Sequence, residues 1–302
     1  MPRDLKVERA FENFTVVDRL GNALPFSKGI LATSILATGA ETPQVYEVAH
    51  AVQSHLYRQQ LTRISAEELT ALTAETLSRL LSDELAESYL LWRKARRIGR
   101  PIVISLLGSS GVGKSTLATR LALRLGINRV VTTDAIREVL RTVIPASVLP
   151  ELHVSSYEAI EIDLKEAQTS TYHRQARAVA SASAAVARRY VKEKRNVLFE
   201  GVHLLPGYIA EQLNGMDEQP IVVEILLALG DRELHNNRLS HRLRAEPGRD
   251  GSRHLKGFDV IRNLQDTMQD LSRKAGIRQF DVGSDEDLTQ KIVKEIVDQA
   301  LV

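Results

Sequence analysis

Cysteine is absent from this 302-residue chain, which excludes disulfide staples, thiol catalysis and thiolate-held metals and fits a reducing compartment. Aromatic residues make up only 5%, so the stacking surface on which nucleic acids or nucleobases usually rest is not expected. No apolar run approaches the roughly 18–20 residues that span a bilayer, and the opening MPRDLKVERAFENF lacks the apolar centre of a signal peptide. A cytoplasmic protein without a membrane partner is the expectation. The net charge is only +2, so any cationic function has to come from local clusters. What is present is ordinary for a globular protein: 43% hydrophobic and 26% charged residues. The length allows one large domain or two modest ones. No internal repeat or low-complexity tract is visible.

Residues 1–100 and 101–302 differ in pattern. The first part holds a hairpin-like piece, FTVVDRLGNALPF (14–26), with a turn signal at Gly21 and Asn22. Helical patterns follow, with three helices expected beyond residue 39. Thr42 and Pro43 suit an N-cap and first helical position, and Val45, Val48, Ala49, Val52 and Leu56 share one face. Ser65 and Glu68 form a capping-box pattern, followed by a stripe of Leu69, Leu72, Leu77, Leu80 and Leu81. The basic run RKARRIGR (93–100) is either a linker or a solvated helix end favoured by the dipole. From 101 onward strands and helices alternate. Strands are expected at 101–108, 129–134, 196–201, 221–230 and 278–282, with helices at 114–125, along ARAVASASAAVARRYV (176–191) and around Val260–Leu271. Such alternation implies an α/β fold, a five-stranded parallel sheet with helices on both faces. The expected domains are 1–95, small and mostly helical, and 101–302.

GSSGVGKS (108–115) fits the phosphate-binding pattern G-x-x-x-x-G-K-[S/T] at every fixed position. Gly108, Ser109, Ser110, Gly111, Val112 and Gly113 would turn backbone N–H groups toward phosphates, aided by the helix that begins at Lys114. Lys114 should reach the β- and γ-phosphates, Ser115 should ligate Mg²⁺, and Thr116 continues the site. A strand before the loop and an amphipathic helix after it supply the required context. No guanine-reading N-K-x-D is present, and no strand ends cleanly in the apolar-run-plus-Asp of motor ATPases, although RVVTTD comes nearest. The remaining pattern is that of a small-molecule kinase using ATP and Mg²⁺.

Asp134 follows the second strand, where a carboxylate could orient an acceptor hydroxyl or take its proton; Asp is also a good helix cap. Arg137 and Arg141, spaced i, i+4, could face an acceptor's phosphate or carboxylate. Glu200 and His203 sit where open α/β sheets place ligands: Glu200 could hold Mg²⁺ through water, and His203 could bind an acceptor anion. The segment 238–256 contains Arg238, Arg242, Arg244, Arg249 and Arg253, candidates for a lid that closes over the transferring group.

These blocks together resemble the 2-phosphoglycerate kinase family: GSSGVGKST, TTDAIREVLR, LPELHVSSYEA (149–159) and LFEGVHLLPGYI (198–209) stand in the family's order. That resemblance implies γ-phosphoryl transfer from ATP to the hydroxyl of 2-phosphoglycerate, giving 2,3-bisphosphoglycerate. Residues 14–39 with the helices beyond resemble an ATP-cone, a regulatory nucleotide-binding domain, which makes Arg19 and Lys28 candidate phosphate contacts. Where the family has Gly-Phe-x-x-Gln, this chain has Thr171 to Gln175 without the glycine. A small anionic acceptor is the expected partner, and a homo-oligomer is compatible with the sequence. A kinase of another phosphorylated hydroxy acid or polyol, or a non-catalytic ATP sensor, are the alternatives.

Overall fold

The computed structural model describes residues 14–156, 158–159, 170–245, 257–283 and 288–301. Contacts divide the chain into two compact units. In the first, β1 (Thr15–Val17) and β2 (Ala23–Pro25) form the expected antiparallel hairpin. Its turn is set by Asp18, whose carboxylate accepts from the Leu20 and Asn22 amides and from Asn22 Nδ2 at 2.8–2.9 Å. A third strand, β3 (Arg63–Ser65), pairs parallel with β1. Three residues between two helices are too few to show alternation, so the sequence gives no sign of it.

Among the described residues four helices complete this part: α1 (Lys28–Leu36), then the three expected beyond residue 39, α2 (Thr42–Arg58), α3 (Ala66–Leu80) and α4 (Asp83–Arg97). Glu41, not Thr42, caps α2, and its amide donates to Gln44 Oε1 at 3.0 Å. Val45, Val48, Ala49, Val52 and Leu56 are all buried on the expected face. The α3 stripe differs. Leu80 is 38% exposed, while Thr70, Thr73 and Thr76 are buried. Each threonine hydroxyl donates to the carbonyl four residues back, at 2.6–2.7 Å, so a polar residue enters the core with its donor satisfied. The run at 93–100 is largely the end of α4, where Lys94, Arg96 and Arg97 complement the free carbonyls.

The second unit is built on β4 (Ile102–Leu107), α5 (Lys114–Leu125), β5 (Val130–Thr132), α6 (Thr133–Val143), a 3₁₀ turn (Pro150–His153), α7 (Ser170–Lys192), β6 (Val197–Gly201), α8 (Tyr208–Leu213), β7 (Ile221–Ala228), α9 (Arg232–Ala245), α10 (Phe258–Lys274) and β8 (Arg278–Asp281). All five strands are parallel, in the order β5-β6-β4-β7-β8. The sheet is the one the sequence implies. β4 is buried along its whole length, as expected for the centre of a parallel sheet covered on both faces. On one face Val103, Phe199 and Leu226 pack against α7 and α10 through Val179, Val191 and Met268. Ala176, Ala180, Ala184 and Ala187 are fully buried, and these small side chains let α7 lie close.

The last helix, α11 (Leu288–Leu301), groups with the first unit, as do residues 123–126. Gln290 lies so close to Gly39 that a Cβ there would stand 2.9 Å from its Cδ. By its contacts this helix, for which no element was expected from the sequence, belongs with the first unit.

Candidate active site

The central strand β4 delivers the loop 108–113 to the carboxyl edge of the sheet. Lys114, the first residue of α5, is buried, and its Nζ donates to Ser109 O at 2.6 Å. Ser115 Oγ donates to Glu200 Oε1 at 2.9 Å. Glu200 lies in register with Leu106 on β4 and Thr132 on β5, and only 5% of it is exposed. Ser109 Oγ is buried without a partner among the described residues. A buried lysine, an orphaned hydroxyl and a serine–carboxylate pair around a helix N-terminus form a setting for an anion with a hard cation beside it.

Helix α9 braces this loop from outside. His235 is fully buried, and its Nε2 lies 2.8 Å from Ser110 O. A carbonyl only accepts, so Nε2 carries the proton. Burial pushes the ring's pKa down, and Arg262, Lys114 and Arg238 push the same way against the favourable Ser110 bond. Gly111 has φ +84°, and a Cβ there would stand 2.7 Å from Leu239 Cδ2; only glycine lets helix and loop close to this distance. Arg238 reaches in from α9: its Nη2 donates to Val282 O at 3.1 Å, and its Nη1 lies 3.9 Å from the Cβ position of Gly113. Arg242 and Arg244 fall on the last turn of α9, where only the backbone is described, and Arg249 lies outside the described residues with most of the expected lid. The lid-segment arginine placed beside the loop is thus Arg238. His235 gives no such signal in the sequence, because nothing local marks one histidine in RELHNNRLSHRLR as buried.

On the other side, β5 ends at Thr132, whose side chain caps α6 by accepting from Ala135 N at 3.1 Å. The capping role considered for Asp134 therefore belongs to Thr132. Asp134 sits in the first turn with 64% of its side chain exposed. Arg137 Nη1 donates to the carbonyls of Leu152 and Val154, each at 2.8 Å. It pins the 150–154 strap instead of standing free in the cleft. Arg141 pairs with Glu138 at 2.9 Å. His203 departs from expectation: it is fully buried, and its ring meets Thr133 Oγ1 at 3.1 Å and Gln175 Oε1 at 3.2 Å. Burial, opposed by Asp134 and aided by Arg137 and Lys114, lowers its pKa to about 4. A wholly buried neutral ring does not present a charge to an anion. Gln175 occupies the end of the Thr171–Gln175 element, and α7 forms there without the family's glycine.

A parallel sheet of this strand order, with a phosphate loop after its central strand and carboxylates at the neighbouring strand ends, defines a P-loop kinase. The ATP cone domain model matches residues 14–98, and the AAA domain model matches residues 103–271. The 2-phosphoglycerate kinase of Methanocaldococcus jannaschii is 36% identical over 271 residues, covering 88% of this chain and 85% of the relative. That of Pyrococcus furiosus is 40% identical over 200 residues, 64% of this chain and 66% of the relative. The chain belongs to the 2-phosphoglycerate kinase family. A shikimate kinase structure from Acinetobacter baumannii, determined with shikimate, is a distant likeness at TM-score 0.41 and 20% identity, over 69% of this chain and 99% of that one. No described helix is long and apolar enough to cross a membrane.

Proposed function

We propose that this protein is an ATP-dependent kinase that phosphorylates the hydroxyl of 2-phosphoglycerate, with its ATP cone domain tuning the reaction to nucleotide supply. The observation that carries the reading is the convergence, at the ends of β4, β5 and β6, of Lys114 and Ser115, the exposed Asp134, and a buried Glu200 bonded to Ser115. Family membership at 36% identity over most of both chains supports the acceptor.

In this reading the loop amides and Lys114 take the β- and γ-phosphates, Lys114 exchanging Ser109 O for phosphate oxygens. Ser115 and Glu200 fit Mg²⁺, which favours one or two protein oxygens together with phosphate; bound there, the ion neutralises phosphate charge. Asp134 orients the acceptor hydroxyl and receives its proton as the new P–O bond forms and the bond to the β-phosphate bridging oxygen breaks. Arg137 acts through the strap it pins, and Arg141 is the cation of that pair for the acceptor's anions. Arg238 flanks the phosphates, and Arg242, Arg244 and Arg249 close over them. In the ATP cone domain Arg19 is held by Glu67 at 2.7 Å, whereas Lys28, exposed at the start of α1, is the nucleotide contact.

The test is ATP consumption across phosphorylated hydroxy acids, sugars, polyols and nucleosides, with the product identified by ³¹P NMR. Turnover should peak with 2-phosphoglycerate and vanish in Lys114→Ala. Preference for another acceptor would reassign the substrate, and turnover independent of Lys114 would refute the site.

A further inference from the structure

Gln175 lies at the middle of a buried polar chain whose hydrogen positions follow from chemistry alone. Its Nε2 donates to the carbonyls of Glu151 and Val154 at 2.5 and 2.9 Å. Two carbonyls can only accept, so the amide cannot be flipped, and its oxygen must face His203 Nε2 at 3.2 Å. That oxygen accepts, so Nε2 of His203 carries the ring proton. The ring is neutral, with its pKa lowered to about 4 by burial, so Nδ1 offers a lone pair. Thr133 Oγ1, 3.1 Å away, is then the donor. Every member has one permitted orientation.

The two ends of this chain are the two halves of the acceptor side. One is the 150–154 strap, which also receives Arg137. The other is the first residue of α6, adjacent to Asp134, whose Oδ1 lies 3.8 Å from Nδ1 of His203. Gly201 has φ +153°, and a Cβ there would fall 1.7 Å from Thr133 Oγ1. The hydroxyl is thus seated against bare backbone at the end of β6.

We propose that Thr133, His203 and Gln175 form a positioning relay that fixes the Asp134 carboxylate relative to the acceptor strap. None of the three touches the reacting atoms. They act by holding Asp134 and Arg137 in one mutual geometry, and misplacing a general base by a fraction of a hydrogen-bond length slows transfer without weakening nucleotide binding. The kinetic part of this inference rests on the kinase reading above; the proton positions do not.

Two measurements on the full chain decide it. Ring ¹⁵N shifts of His203 should report a neutral, Nε2-protonated ring from pH 8 down to about pH 5.5; a titration near the ordinary histidine value, or the Nδ1–H tautomer, would overturn the relay. In steady-state kinetics with Mg·ATP and 2-phosphoglycerate, Thr133→Val, which keeps the shape and loses the donor, should lower kcat about tenfold and leave the KM for ATP within about twofold. Thr133→Ser should restore most of the rate. Gln175→Met should mimic Thr133→Val. If kcat stays at the wild-type value, or if kcat and ATP affinity fall together with the melting temperature in all variants, the residues are structural only and the proposal fails. If the wild type turns over no acceptor, the kinase reading fails instead, and the ¹⁵N measurement alone rules on the relay.

Discussion

Replacing Gly111 by alanine tests the packing of α9 on the phosphate loop. At φ +84° the new side chain meets backbone strain of about 1–2 kcal/mol. Its Cβ would stand 2.7 Å from Leu239 Cγ and Cδ2 and 3.2 Å from His235 Cδ2. Leu239 is only 2% exposed, so it cannot swing into solvent, and overpacking adds about 1–3 kcal/mol. The total is about 2–5 kcal/mol, and at roughly 2–4 °C per kcal/mol the melting temperature should fall by about 4–20 °C. Gly215→Ala is the control: φ is +77°, but nothing lies within 4 Å, so it should cost strain alone. Thermal unfolding of both variants, with ATP titration of the folded proteins, separates the contributions. Gly111→Ala should be the less stable by the packing part and should bind ATP more weakly, because the His235–Ser110 bond is pushed aside. Equal melting temperatures would refute the described contact between helix and loop.

Three further outcomes are expected. Glu224 is buried, and burial raises its pKa from 4.5 to about 7 against the opposing Gly207 and Ile209 amides. The folded state therefore holds the proton more tightly, so this group's stabilisation is full below about pH 4.5 and is lost as pH rises through about 7, a change of about 3 kcal/mol. Glu224→Gln should flatten that part of the stability profile, and an unchanged slope would contradict the assignment. Glu200→Gln keeps an acceptor for Ser115 and removes the charge, so kcat should fall about 10²-fold and the Mg²⁺ requirement should rise; normal Mg²⁺ dependence would remove Glu200 from the metal site. Asp134→Asn should lower kcat by about 10²–10⁴ with ATP affinity kept, and an unaffected kcat would leave Asp134 as an exposed first-turn residue.

The features legible in the sequence are those whose cause is local. The phosphate loop is a run of backbone conformations, and glycine spacing writes it directly. The five strands show because β4, β6 and β7 are nearly all buried apolar residues. The edge strands β5 and β8 are three and four residues long and partly exposed, so their apolar signal is weaker. What was not legible depends on partners distant in sequence. His203 reads as a polar residue at a strand end, and only Thr133, 70 residues away, and Gln175, 28 residues away, make it an internal strut. Arg137 points to an anion by charge and spacing, yet its donors meet two carbonyls of the strap. The α3 threonines break the apolar stripe because intrahelical back-bonding lets them act as core residues.

The grouping of α11 with the first unit has a consequence for how the molecule is made. The kinase sheet is spliced between two stretches of one unit, the chain up to Gly99 and residues 289–302. A chain emerging from its N-terminus exposes residues 100–288 before 289–302, so the first unit gains Ile292, Val293, Ile296 and Val297 only after the sheet-bearing unit has been made. The first unit therefore closes last, and a chain cut before Thr289 would carry the whole kinase sheet while the first unit lacked its final helix.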